Sequence, residues 1–132
     1  MIGLDTNILV RYLAQDDAAQ SRHATQIIEH QLTEERPGFI SLVAMVETVW
    51  VLGRVYGLSN LEIGAAVERI LQADTLLVQN EQEVFTAMIA LKTGAGSFSD
   101  ALIGALGAWA GCTVTLTFDN KAKRLKQFRL LS

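Results

Sequence analysis

The chain has 132 residues, half of them hydrophobic, a net charge of −3 and a mean hydropathy of +0.27. That length buries one core without staples, and no apolar run reaches the ~20 residues of a membrane span before a charge or a Gly interrupts it. The single Cys112 excludes an internal disulfide and fits a reducing cytoplasm, and the negative balance argues against non-specific binding of nucleic acid.

In chain order, Ile2–Asp5 reads as a strand that starts at once, with no signal-peptide pattern before it. Helices follow over 6–14 and 17–32, the second opened by the capping pattern Asp17-x-x-Gln20. Pro37 and Gly38 mark the turn into a strand over Gly38–Ser41. A helix over 42–56 comes next, then one over 60–73 behind the capping box Ser59-x-x-Glu62. A strand at Leu76–Gln79 leads to a helix over 81–93, again behind a box, Asn80-x-x-Glu83. The last elements are a helix over 98–110, a strand over Val114–Phe118, a short helix over 120–125 and a strand over Phe128–Leu131. Gly57, Gly94, Gly96 and Gly111 stand where helices stop. Short apolar runs alternating with helical patterns predict an α/β fold, one domain over 1–132 with a central, mainly parallel sheet of about five strands flanked by helices.

Two helices differ in their faces. In 60–73, Leu61, Ile63, Val67, Ile70 and Leu71 point to a core, while Glu62, Glu68 and Arg69 point away. In 42–56 apolar residues cover nearly the whole circumference, which requires burial by the fold or by a partner and predicts a homodimer using this helix.

Four isolated carboxylates, Asp5, Glu47, Asp100 and Asp119, sit among residues that should be buried. An unpaired buried carboxylate costs several kcal/mol or shifts its pKa until it neutralises. Asp5 closes the first strand and Asp119 the fourth, and ligands in open α/β sheets gather at such strand ends. Each Asp also has a capping role open to it: Asp5 for helix 6–14, Asp119 for helix 120–125, and Asp100 within Ser97-x-x-Asp100. Glu47 lies too deep in its helix to cap, with Val43, Ala44, Trp50 and Val51 around it, and tips the balance to a metal. An oxygen-only set suits Mg²⁺ or Mn²⁺ rather than Zn²⁺. His23 and His30 read as surface residues on a polar helix, and Cys112 as an inert packed thiol. No nucleophile–His–acid arrangement and no Gly-rich phosphate loop is evident.

Charge is unevenly spread. Residues 119–132 carry five basic side chains (Lys121, Lys123, Arg124, Lys126, Arg129) against one acid, whereas residues 1–118 carry six basic and thirteen acidic groups. A basic end beside an acidic cluster suits a phosphate-bearing substrate meeting a metal site; it is equally the composition of a solvated amphipathic end.

The opening Leu4-Asp5-Thr6-Asn7, the Val46-Glu47-Thr48 step, the Phe98-x-Asp100-Ala101-Leu102-Ile103 helix start and the Leu116-Thr117-Phe118-Asp119 strand end together resemble PIN-domain ribonucleases, with the nearest likeness to VapC toxins of VapBC toxin–antitoxin modules. The resemblance spans the chain. It implies a metal-dependent endoribonuclease in which Asp5, Glu47, Asp100 and Asp119 hold Mg²⁺ or Mn²⁺ and catalyse hydrolysis. Thr6 and Thr117 would support that site, and Asn7 would pin the loop after the first strand. The partners implied are an RNA substrate and a cognate antitoxin protein. Arg11, Lys121, Lys123 and Arg124 would meet one of the two. One departure stands out: many relatives have Asp-Phe-x-Asp where this chain has Ser97-Phe98-Ser99-Asp100.

Two rivals remain. A phosphatase of the haloacid-dehalogenase kind needs a second Asp two residues beyond Asp5, where this chain has Asn7. A degenerate PIN fold that binds RNA or protein without cutting is the other.

Overall fold

Strand-forming runs separated by helices pair in parallel, because each connection is long enough to carry the chain back to the same end. The computed structural model describes residues 1–131, which divide into two compact units, Met1–Glu81 and the segment from Gln82 onward.

The first unit runs β1 (Ile2–Gly3), α1 (Thr6–Ala14), α2 (Ala18–Thr25), a π-helical segment Gln26–Gln31, β2 (Gly38–Ile40), α3 (Leu42–Arg54), α4 (Asn60–Gln72) and β3 (Leu76–Val78). β2 is the middle strand: Ile2 and Gly3 stand opposite Gly38 and Phe39, and Gly38–Ile40 stand opposite Leu76–Val78, all parallel. Helix α1 packs on α2 and α3, and α3 packs on α4. Leu9, Ile28, Ile40, Met45, Leu52, Val67 and Ile70 are its largest fully buried apolar side chains. Gly38 leaves room for two leucines, since a Cβ there would lie 2.8 Å from the Cδ1 atoms of both Leu4 and Leu32. The Leu4 N–H bonds the Phe39 carbonyl at 2.9 Å, fixing the chain just before Asp5.

Helix starts follow the sequence closely. Asp5, Asp17, Ser41 and Ser59 each accept a backbone N–H of the first turn, and Ser59 with Glu62 forms a complete capping box. The Ser59 N–H holds the Glu62 carboxyl below its ordinary range. Three details differ from expectation. The 17–32 helix loses its α-register after Thr25 and finishes as the π-helical segment. Leu61 is 65% exposed rather than turned to the core, because Ile63, Gly64, Val67 and Ile70 supply the buried stripe of α4. And α3 is not buried all round: Ala44, Met45, Thr48, Val49 and Leu52 face inward, while Val43, Trp50 and Val55 are exposed.

The second unit runs α5 (Glu81–Thr93), α6 (Phe98–Trp109), β4 (Thr115–Thr117), a 3-10 turn Ala122–Arg124 and β5 (Phe128–Leu130). Thr115, Leu116 and Thr117 pair in parallel with Phe128, Arg129 and Leu130. Gly104 lets α6 lie against β5, since a Cβ there would come within 2.8 Å of the Phe128 ring. The expected 120–125 helix shrinks to the three-residue 3-10 turn, and Cys112 is exposed rather than packed, lying beyond the turn at Gly111 that follows α6. All five predicted strands are present and all are parallel, so the fold is α/β as the alternation implied. The described ladders are one of three strands and one of two. No helix among the described residues is long and apolar enough to cross a membrane.

Candidate active site

Asp5 is where β1 gives way to α1. Its backbone is extended (φ −80°, ψ 161°), as an N-cap must be, and its Oδ1 accepts the Thr6 N–H at 2.7 Å. Thr6 is buried, and its hydroxyl donates to Glu47 Oε1 at 2.5 Å. One residue therefore ties together two acids 42 positions apart in sequence: its N–H holds Asp5 and its O–H holds Glu47. Each carboxylate keeps a second oxygen that makes no hydrogen bond among the described residues. Asn7 is exposed on the first turn of α1.

Glu47 is not buried, contrary to what its apolar neighbours imply. It is exposed, on the stripe of α3 that also carries Val43 and Trp50, so no burial cost demands a counter-charge. Its partner is Thr6. Asp5 and Asp119 are likewise exposed, and Asp100 is half-buried.

In the second unit, the caps anticipated for the other two acids are present. Ser97 is the N-cap of α6, its hydroxyl accepting the Asp100 N–H at 3.1 Å, which puts Asp100 in the first helical turn. Asp119 Oδ1 accepts the Lys121 N–H at 2.8 Å and opens the 3-10 turn, while Thr117 Oγ1 accepts the Asp119 N–H at 3.0 Å. Thr117 thus fixes the backbone of the acid that follows β4.

The basic residues behave differently from one another. Arg11 is held in a network: Nε donates to Gln20 at 2.7 Å, and Nη1 contacts Asp16 at 3.1 Å and the Tyr56 hydroxyl at 3.0 Å. The Tyr56 hydroxyl donates in turn to Asp16 at 2.6 Å. That bond holds the Asp16 carboxyl below its ordinary range, with help from Arg11, and pushes the Tyr56 phenol above its own against the opposing pull of Arg11. Asp16 raises the Arg11 guanidinium further still. No local signal marks this network, because Tyr56 is 45 residues from Arg11 and nothing in its neighbourhood points to a partner. Arg124 donates to the Gly94 carbonyl beyond the end of α5 at 3.0 Å, whereas Lys121 and Lys123 are exposed, with no ion pair among the described residues.

Among the described residues, no group of three or more His, Cys, Asp or Glu side chains is gathered that could hold a metal ion. The Asp5–Thr6–Glu47 set nonetheless has the chemistry for one. It is all hard oxygen, and Mg²⁺ is commonly held by one or two carboxylates, with waters and substrate phosphate completing its shell. His23 and His30 are exposed, as expected of surface residues.

The sequence model of the PIN domain matches residues 2–127. No curated protein matches the chain significantly.

Proposed function

The chain belongs to the PIN-domain family, and from that premise we propose that it is a Mg²⁺- or Mn²⁺-dependent endoribonuclease acting as the toxin of a toxin–antitoxin pair. PIN domains are typically nucleases, they generally use divalent metals, and their substrates are nucleic acids. The observation that carries the reading is Thr6 holding Asp5 and Glu47 by its N–H and its hydroxyl. Asp100 and Asp119 are the further acids that the resemblance assigns to the metal. A homodimer and an antitoxin partner belong to the same reading. The exposed Val43, Trp50 and Val55 on α3 and Leu61 on α4 support an apolar contact between copies.

A bound divalent ion would supply phosphate polarisation, charge neutralisation and an activated water. The protein's own part is placement. Asp5 is fixed at the end of a strand anchored on β2, so its position does not depend on a mobile loop. Thr6 donates a hydrogen bond from its hydroxyl to Glu47, which keeps the carboxylate oriented. Asp119 is held by Thr117, and Lys121 and Lys123 beyond it offer unpaired positive charge to a phosphate backbone.

A PIN-fold binding module without nuclease activity is the second reading, favoured by the lack of a gathered group of three acids among the described residues. Cleavage decides between them. Partner-free protein should cut structured RNA with Mg²⁺ or Mn²⁺, stop when EDTA is added, and lose at least about 100-fold in rate as Asp5→Asn. RNA left whole by the wild type, or cut equally by Asp5→Asn, would support the binding module.

A further inference from the structure

A cavity of about 420 Å³ opens on the first unit between α1 and α2, beginning at Asn7, the residue after Thr6. Its size is within the range of small-molecule sites. Ile8 and Ile27 give it an apolar wall; Asn7, Arg11, Gln20 and His23 give it polar ones. Arg11 is the key to its chemistry. Gln20 takes Nε, and Asp16 and Tyr56 take Nη1, so the guanidinium is locked along one edge. Nη2, with two N–H donors, makes no hydrogen bond among the described residues. A cation immobilised before the ligand arrives loses little entropy on binding and suits a phosphate oxygen. His23, exposed at the same cavity and without a partner among the described residues, presents a flat ring. Aromatic rings, histidine included, are surfaces on which unpaired RNA bases stack.

We propose that this cavity seats one nucleotide of single-stranded RNA beside the scissile phosphate, its phosphate on Arg11 Nη2 and its base between His23 and the Ile8–Ile27 wall. This rests on the endoribonuclease reading and names where that enzyme reads its substrate. The phosphate, flat base and hydrogen-bonding base edge of a nucleotide match a donor, an apolar wall and two amide side chains (Asn7 and Gln20) in one place. An acidic peptide would use Arg11 but leave the apolar wall and the ring idle.

The test avoids dependence on cleavage. Full-length protein carrying Asp5→Asn is titrated, in EDTA, with a fluorescein-labelled unstructured 12-nucleotide RNA. His23→Ala should weaken binding by roughly 5-fold or more, and His23→Phe, which keeps a stacking face, should restore most of it. Arg11→Gln tests the phosphate contact in parallel, with circular dichroism to verify its fold. In NMR titrations, single ribonucleoside monophosphates should move the His23 ring and Arg11 Nε–H signals. Unchanged RNA affinity in His23→Ala would overturn the proposal even if the enzyme cleaves RNA. So would His23 and Arg11 signals that answer an Asp/Glu-rich peptide but not the nucleotides, which would assign the cavity to a protein tail. Binding that follows His23 while the wild type never cleaves would uphold the pocket and remove the nuclease reading alone.

Discussion

Thr6 carries more of the candidate site than either acid beside it. Its two donors fix Asp5 and Glu47, and its side chain is buried, so it cannot turn away without breaking a contact. Hydrogen bonds that orient metal ligands commonly account for 10–100-fold in metal affinity or activity. Thr6→Val keeps the shape and removes the hydroxyl. It should lower metal-dependent cleavage by about 10–100-fold, while Thr6→Ser, which keeps the donor, should retain most activity. Equal rates for all three proteins would show that Glu47 needs no such restraint. Arg11 illustrates the opposite case. The resemblance made it a candidate for meeting RNA or an antitoxin, yet Gln20, Asp16 and Tyr56 engage its Nε and Nη1, and Nη2 alone makes no hydrogen bond among the described residues.

At the scale of elements, α6 bears on the one departure from the pattern that the resemblance implies. Ser97, standing where that pattern has Asp, is the N-cap of α6, and its hydroxyl accepts the Asp100 N–H. Ser and Asp are both strong N-caps, and an Asp adds a favourable charge at the helix N-terminus. Its replacement therefore leaves the helix start intact, and with it the placement of Asp100. Ser97→Ala should cost about 1 kcal/mol of stability in urea unfolding, and Ser97→Asp should match or exceed the wild type. A Ser97→Asp protein less stable than Ser97→Ala would contradict this capping account. Helix α3 shows what composition leaves open. A run of Leu, Val, Met and Trp is apolar nearly all round, but it does not say which residues the fold covers: Ala44, Met45, Thr48, Val49 and Leu52 face the core, and Val43 and Trp50 are exposed. Trp50 instead lies under the Arg54 guanidinium at 5.8 Å.

For the whole molecule, the α/β class, the strands and the helix starts were legible because they rest on local signals: capping residues, glycine stops and hydrophobic period. Gly57 and Gly94, read as stops, do adopt positive φ. What local signals could not carry was long-range partnership. The Thr6–Glu47 bond joins residues 41 apart, and the Arg11–Tyr56 bond residues 45 apart. The exposure of Glu47 was also out of reach, since sequence neighbours do not reveal which side of a helix meets the core. The charge division was legible and has a consequence. Lys121 and Lys123 are exposed, without ion pairs among the described residues, so each is open to a phosphate. For single-stranded RNA, the slope of log Kobs against log salt should flatten by about 0.7 for each of the two replaced by Gln. An unchanged slope in the double variant would place the RNA elsewhere.

In the proposed site Asp5 and Glu47, joined through Thr6, hold a divalent cation. Calorimetric titration of Mn²⁺ into the partner-free protein tests this without any assumption about the RNA. Saturable binding of at least one ion is expected, lost in Asp5→Asn and weakened about 10-fold or more in Thr6→Val. Mn²⁺ bound equally well by all three proteins, or by none, would contradict it.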